Sequence, residues 1–108
     1  MSKNEVKKIV KKYTDNLKKH NIPFEHVFLF GSYAKDNQNE TSDIDVAVVS
    51  SLFDENDDAK RFENKLKISK LRLDIDLRLE PHGISKEEFD EGDSILAYEV
   101  KKTGIEIK

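Results

Sequence analysis

Three observations predict a mixed α/β fold, a small mixed β-sheet flanked by helices. Apolar residues recur at helical spacing near the N-terminus, a short continuous apolar run follows, and two later segments alternate apolar with charged residues. Val6, Ile9, Val10, Tyr13 and Leu17 form one stripe with lysines opposite, and Ser2-x-x-Glu5 offers a capping box, so residues 3–20 are predicted as an amphipathic helix. Pro23 ends that region, and His26-Val27-Phe28-Leu29-Phe30 reads as a strand covered on both faces, broken by Gly31-Ser32. Ile44, Val46 and Val48 alternate with Asp43, Asp45, Ala47 and Val49, which predicts a second strand entered at its acidic end. After an acidic loop over 54–58, Phe62 and Leu66 at i, i+4 predict a helix within 59–70. Leu71, Leu73, Ile75, Leu77 and Leu79 alternate strictly with Arg72, Asp74, Asp76, Arg78 and Glu80, which predicts a third strand that Glu80-Pro81-His82-Gly83 ends. Ser85-x-x-Glu88 is a second capping box, residues 93–102 form a helix closed by Gly104, and Ile105 and Ile107 add a small edge strand.

The 108 residues fit one domain, and the 31 that are Leu, Ile, Val or Phe suffice for a modest core. The absence of cysteine excludes a disulfide scaffold, a Cys-ligated zinc site, an iron–sulfur cluster and thiol catalysis. No 18-residue apolar run occurs and the chain starts Met-Ser-Lys-Asn-Glu, so a cytoplasmic protein without membrane insertion is expected. The 19 basic and 22 acidic residues nearly cancel, yet residues 1–20 sum to +5 and residues 36–58 to -8. The lysines of the first helix read as solvated surface, so direct nucleic-acid binding is not expected.

A Gly-Ser turn leaving a buried strand exposes backbone N–H groups and a hydroxyl, which suits a bound phosphate. Asp43 and Asp45, two residues apart on a strand, share a face. Two carboxylates a few ångströms apart repel by about 4 kcal/mol at an effective dielectric near 20, so a hard cation such as magnesium is the natural neutraliser. Asp74 and Asp76 supply a third carboxylate from the third predicted strand, and such a site can hold two magnesium ions for in-line attack of a hydroxyl on a nucleotide phosphate. The chain has no P-loop, Rossmann or EF-hand pattern, and His20, His26 and His82 show no metal-ligand spacing. His82, beside the predicted strand end, has two readings, a residue facing the site and a structural turn residue, of which the second is favoured.

At these residues the sequence resembles the minimal nucleotidyltransferase (MNT) branch of the polymerase-β-like nucleotidyltransferase superfamily. Gly31-Ser32 is followed by ten residues, 33–42, and then by Asp43-Ile44-Asp45, which is the family's spacing. The flanking Gly-Ser-Tyr-Ala-Lys and Ser-Asp-Ile-Asp-Val-Ala-Val-Val are also similar, and the resemblance covers essentially residues 1–108 as one minimal nucleotidyltransferase domain. It implies that Ser32 and the amides around Gly31 hold the terminal phosphates of ATP. It further implies that Asp43 and Asp45 coordinate two magnesium ions, and that a third carboxylate ligates metal and helps deprotonate the acceptor. Leu73-Asp74-Ile75 and Ile75-Asp76-Leu77 both satisfy the third-carboxylate pattern, with Asp76 preferred. Lys35-Asp36 stands where the family commonly has Arg-Gly, so Lys35 keeps a cation for phosphate without bidentate geometry, and Asp36 must supply the turn.

The implied activity is magnesium-dependent transfer of AMP from ATP to a hydroxyl with release of pyrophosphate. The acceptor is expected on a partner, a tyrosine of a HEPN-domain toxin, which makes the chain a protein adenylyltransferase (AMPylation) and the antitoxin of a toxin–antitoxin pair. The alternative is a non-catalytic antitoxin that neutralises its partner by stoichiometric association. Transfer to a small molecule, as in aminoglycoside nucleotidyltransferases, is the third reading.

Overall fold

In the computed structural model, which describes residues 1–36, 43–92 and 94–108, helix α1 (Lys3–Lys19) starts where the Ser2 hydroxyl accepts from the Glu5 amide at 3.2 Å. The Ser2 hydroxyl also donates to Glu5 Oε1 at 3.3 Å, so the Glu5 side chain folds back onto the capping hydroxyl where a full capping box would reach the Ser2 backbone N–H. Val6, Val10, Tyr13 and Leu17 are buried on its inner stripe. The Tyr13 hydroxyl donates to the Ile68 carbonyl at 2.7 Å and Asn16 Nδ2 to the Leu71 carbonyl at 2.9 Å, so this face is pinned to the end of a distant helix. Burial pushes the Tyr13 phenol above its usual range.

Strands β1 (His26–Phe30) and β2 (Ile44–Ser50) are antiparallel, with Phe30 opposite Asp45 and Phe28 opposite Ala47. A short 3-10 turn (Ser51–Asp54) leads to helix α2 (Asp58–Lys70), whose N-cap Asp57 accepts from the Ala59 amide at 2.9 Å. Strand β3 (Leu79–Ser85) returns parallel to β2, helices α3 (Lys86–Glu91) and α4 (Ile95–Thr103) follow, and β4 (Ile105–Glu106) pairs with β1. The Ser85 hydroxyl caps α3 by accepting from the Glu88 amide at 2.9 Å, as the second Ser-x-x-Glu predicts. Asp93, the first residue of the predicted last helix, lies outside the described residues. The sheet order is β3-β2-β1-β4. No described helix is long and apolar enough to cross a membrane.

The strand expected over 71–79 is not formed. Residues Leu71–Asp74 continue α2 as a 3-10 turn and the chain enters the sheet only at Leu79, so Glu80-Pro81-His82-Gly83 lies inside the strand it was expected to end. A parallel return explains the displacement. β2 advances about 23 Å over seven residues, and thirteen residues of α2 bring the chain back only about 20 Å, so the following turn is consumed in drawing level with Ile44. Arg72 holds that turn, its Nη1 donating to the carbonyls of Leu77 at 2.8 Å and Leu79 at 3.1 Å. Pro81, lacking an N–H, fits because β3 is an edge strand, and Gly83 is required because a Cβ there would lie 2.8 Å from the Phe53 ring.

The two faces of the sheet carry different cores. Val27, Leu29, Ile44, Val46, Val48 and Leu79 pack with α1 and with Ile68 of α2. Phe28, Phe30, Ala47, Val49 and Ile84 pack with Ala97 and Val100 of α4 and with Phe89 of α3. Phe62 and Leu66 mark α2 as helical but lie on its outer side, with Phe62 63% exposed, and Ile68 makes the contact with the core.

Candidate active site

The second, smaller core does not extend to the N-terminal end of β2, and the acidic residues occupy that end. Alternation along β2 puts Asp43 and Asp45 on the face of Ala47 and Val49. The parallel register sets Glu80 directly beside Asp45 and His82 beside Ala47, so both side chains rise on that same face. Gly31 then closes the arrangement from β1. Its φ is +73°, and a Cβ would lie 2.4 Å from Asp45 Oδ2. The Gly31 carbonyl accepts from the Lys35 amide at 3.2 Å, closing one helical turn that includes Ser32 directly after the glycine that faces Asp45. Asp36 takes φ +60°, the left-handed turn expected of it where the family commonly has Gly. The rest of the intervening stretch, 37–42, lies outside the described residues.

Three carboxylates therefore meet. Loss of hydration first, then the Asp45 carboxylate, hold Glu80 above the usual carboxylate range; Asp43, within hydrogen-bonding reach, adds to this and His82 opposes it. His82 Nε2 sits 3.5 Å from Asp45 Oδ1 and 3.7 Å from Glu80 Oε1. The Asp45 carboxylate raises the imidazole above its usual value, partly offset by burial, with Glu80 contributing. Those are ion-pair separations, and Nε2 is buried without a hydrogen-bond partner. The donor set fits a divalent cation: Asp45, Glu80 and His82 each offer one ligand atom, all within 4.8 Å of one another, and the orphaned nitrogen lacks the partner that a cation would supply. Asp43 and Glu80 also line an open cleft of about 270 Å³ with Ser69, Arg72, Leu77 and Arg78.

Asp76, preferred from the sequence as third carboxylate, is in the turn before β3. It is gripped by Arg78, whose Nε and Nη2 donate to it at 2.9 and 2.7 Å and hold its carboxyl below the usual range. Asp74 ends the 3-10 turn. Lys35 Nζ pairs with Glu99 Oε1 of α4 at 2.9 Å, tying the Gly-Ser turn to that helix. Sequence reasoning missed Glu80 and favoured a structural turn for His82 because Pro81 and Gly83 read as strand terminators. The Leu79-Glu80-Pro81 pattern, apolar residues around an acid, was the available signal.

No curated protein matches the chain significantly in sequence. Among solved structures, a proposed nucleotidyltransferase from Sulfolobus solfataricus is similar in fold, with TM-score 0.67 and 19% identity over 96% of this chain and 80% of that one. A toxin–antitoxin structure with AMP-PNP is 27% identical, with TM-score 0.56 over 91% of this chain and 72% of that one. A mutant of the toxin–antitoxin pair MntA–HpeT shares the fold at 24% identity and TM-score 0.54, over 100% of this chain and 73% of that one. Residues 4–108 match the family described as polymerase beta, nucleotidyltransferase, and the chain, with acids on paired parallel strands beside a Gly-Ser turn, belongs to that family and fits its minimal branch.

Proposed function

We propose that this chain is a magnesium-dependent nucleotidyltransferase that moves AMP from ATP to a tyrosine hydroxyl of a HEPN-type toxin and thereby acts as its antitoxin. The observation that carries the reading is the convergence of Asp43, Asp45 and Glu80 from adjacent parallel strands beside the Gly31-Ser32 turn. The toxin–antitoxin neighbour with AMP-PNP supports the choice of nucleotide and of partner class. Asp43, Asp45 and Glu80 would hold two magnesium ions, with Glu80 in the role that the sequence assigns to Asp76. Bound there, magnesium supplies charge neutralisation for the triphosphate and the leaving pyrophosphate. Ser32 and the amides of its turn hold the terminal phosphates, and Lys35 exchanges Glu99 for a phosphate oxygen. The acceptor oxygen attacks the α-phosphorus, and the bond to the bridging β-phosphate oxygen breaks with its electron pair leaving on pyrophosphate. Glu80, set directly beside Asp45 in the parallel register, takes the hydroxyl proton.

Incubation with α-labelled ATP, magnesium and the partner toxin tests this. Label is expected on the toxin and pyrophosphate in solution, both lost in Asp45→Asn and Glu80→Gln and retained in Asp76→Asn. Loss in Asp76→Asn with retention in Glu80→Gln would return the third-carboxylate role to Asp76. A second reading, neutralisation by association alone, draws on Ile95 and Tyr98, which stand 88% and 59% exposed on α4. It requires full neutralisation by Asp45→Asn without any label transfer.

A further inference from the structure

The acids of this site account for magnesium, but they do not account for His82. Its ring is fixed in place: β3 sets it beside Ala47 in the strand register, and Phe30 meets it edge-on with ring centroids 5.3 Å apart and planes at 67°. The fixed ring aims Nε2 at two carboxylates, where it is buried and lacks a hydrogen-bond partner. Such an atom usually has a partner, because a buried polar nitrogen left unpaired is costly.

The spacing identifies what partner fits. Two donors bound to one small divalent ion at about 2.1 Å, at angles between right and tetrahedral, lie about 3.0–3.4 Å apart. The nitrogen stands 3.5 Å from Asp45 Oδ1 and 3.7 Å from Glu80 Oε1, each within a few tenths of an ångström of that spacing, and all three donors lie within 4.8 Å of one another. Magnesium favours oxygen donors, whereas an imidazole nitrogen raises affinity for the later first-row ions, with zinc, cobalt and nickel above manganese.

We infer that His82 is a cation ligand alongside Asp45 and Glu80, and that this nitrogen donor lets a divalent transition metal occupy the site proposed for magnesium and bind there more tightly than magnesium does. The inference rests on the reading of Asp45 and Glu80 as the acids that hold the cation. Substrate and acceptor play no part in it, so it can be examined on the metal alone.

Titration calorimetry of the purified chain with Co2+ and with Mg2+, in parallel with its His82→Gln and Asp45→Asn variants, tests it. Co2+ is expected to bind at least about 100-fold more tightly than Mg2+. His82→Gln should lower the Co2+ affinity by 10-fold or more while changing the Mg2+ affinity less than about threefold. The wild-type chain supplies a readout independent of any variant: Zn2+ should shift the 15N resonance of His82 Nε2 to the range of a metal-bound nitrogen, which Mg2+ should not produce. Equal affinities for Co2+ and Mg2+, or an Nε2 resonance that Zn2+ does not move, overturns the role of His82 and leaves the acidic site intact. Cation binding that is unaffected by Asp45→Asn overturns the inference together with the reading of the site beneath it.

Discussion

Ile44 and Asp45 are consecutive residues of one strand, and they serve opposite faces of one sheet. The face of Ile44 is closed by α1 and α2 into a continuous apolar core with Val46, Val48, Leu29 and Leu79. The face of Asp45 is covered only in part, by α3 and α4 over Ala47 and Val49, and at its open end three carboxylates and an imidazole stand in place of apolar contacts. The first face can only stabilise. The second gives up stability to hold like charges close together, the arrangement that the proposed cation and triphosphate would require. The division follows from the two-residue period of a strand, which lets one segment of seven residues perform both tasks.

Mutations on either side can break this division. Asp45→Asn should reduce nucleotide transfer by about 100-fold or more, with the metal-free melting temperature unchanged or raised, because a repelling charge is removed. Ile44→Ala, one residue away, should cost about 2–5 kcal/mol and lower Tm by about 10 °C or more, measured by thermal denaturation. If Asp45→Asn unfolds the chain instead, the acids are structural and the contrast between faces fails.

The glycines give the next largest effect. Gly31→Ala puts a Cβ on Asp45 Oδ2 at a positive φ, so it should lose about 1–3 kcal/mol and also cation affinity. Gly83→Ala meets the Phe53 ring on the helix-covered face and should lose about 1–3 kcal/mol while cation affinity, read by calorimetry, stays close to wild type.

A smaller effect is expected from pH. His82 and Glu80 are both raised, so each stabilises the metal-free fold at pH below its usual titration range and loses that contribution as pH rises through its raised value. Metal-free stability should therefore decline across neutral pH, and His82→Gln should flatten that decline in a series of denaturant titrations. The smallest effect belongs to Asp76→Asn. Its partner Arg78 is exposed to solvent, which screens the ion pair, so Tm should shift by only a few degrees.

Most elements were readable because their signals are local. The helical stripe from Val6 to Leu17, the two Ser-x-x-Glu caps and the alternation of β2 depend on neighbours within about four residues, and all of them appear in the structure. Asp43 and Asp45 were readable for the same reason. The segment 71–79 misled because strict alternation states only that a strand would be amphipathic if a partner were available. Leu73 and Leu77, taken as buried, are exposed at 58% and 69%. The place beside β2 went instead to 79–85, where Leu79 and Ile84 fill the two cores.

The sequence by itself determined the class of fold, the first two helices and the two Ser-x-x-Glu caps, and the Gly-Ser and Asp-x-Asp pair proposed to carry the chemistry. Only the tertiary structure decided which acid stands beside Asp45. Strand pairing is non-local, and the length of the α2 crossover sets the register, so Glu80 and His82 arrive at the site while Asp76 remains in the turn with Arg78. A shift of one residue in that register would have turned both side chains to the opposite face.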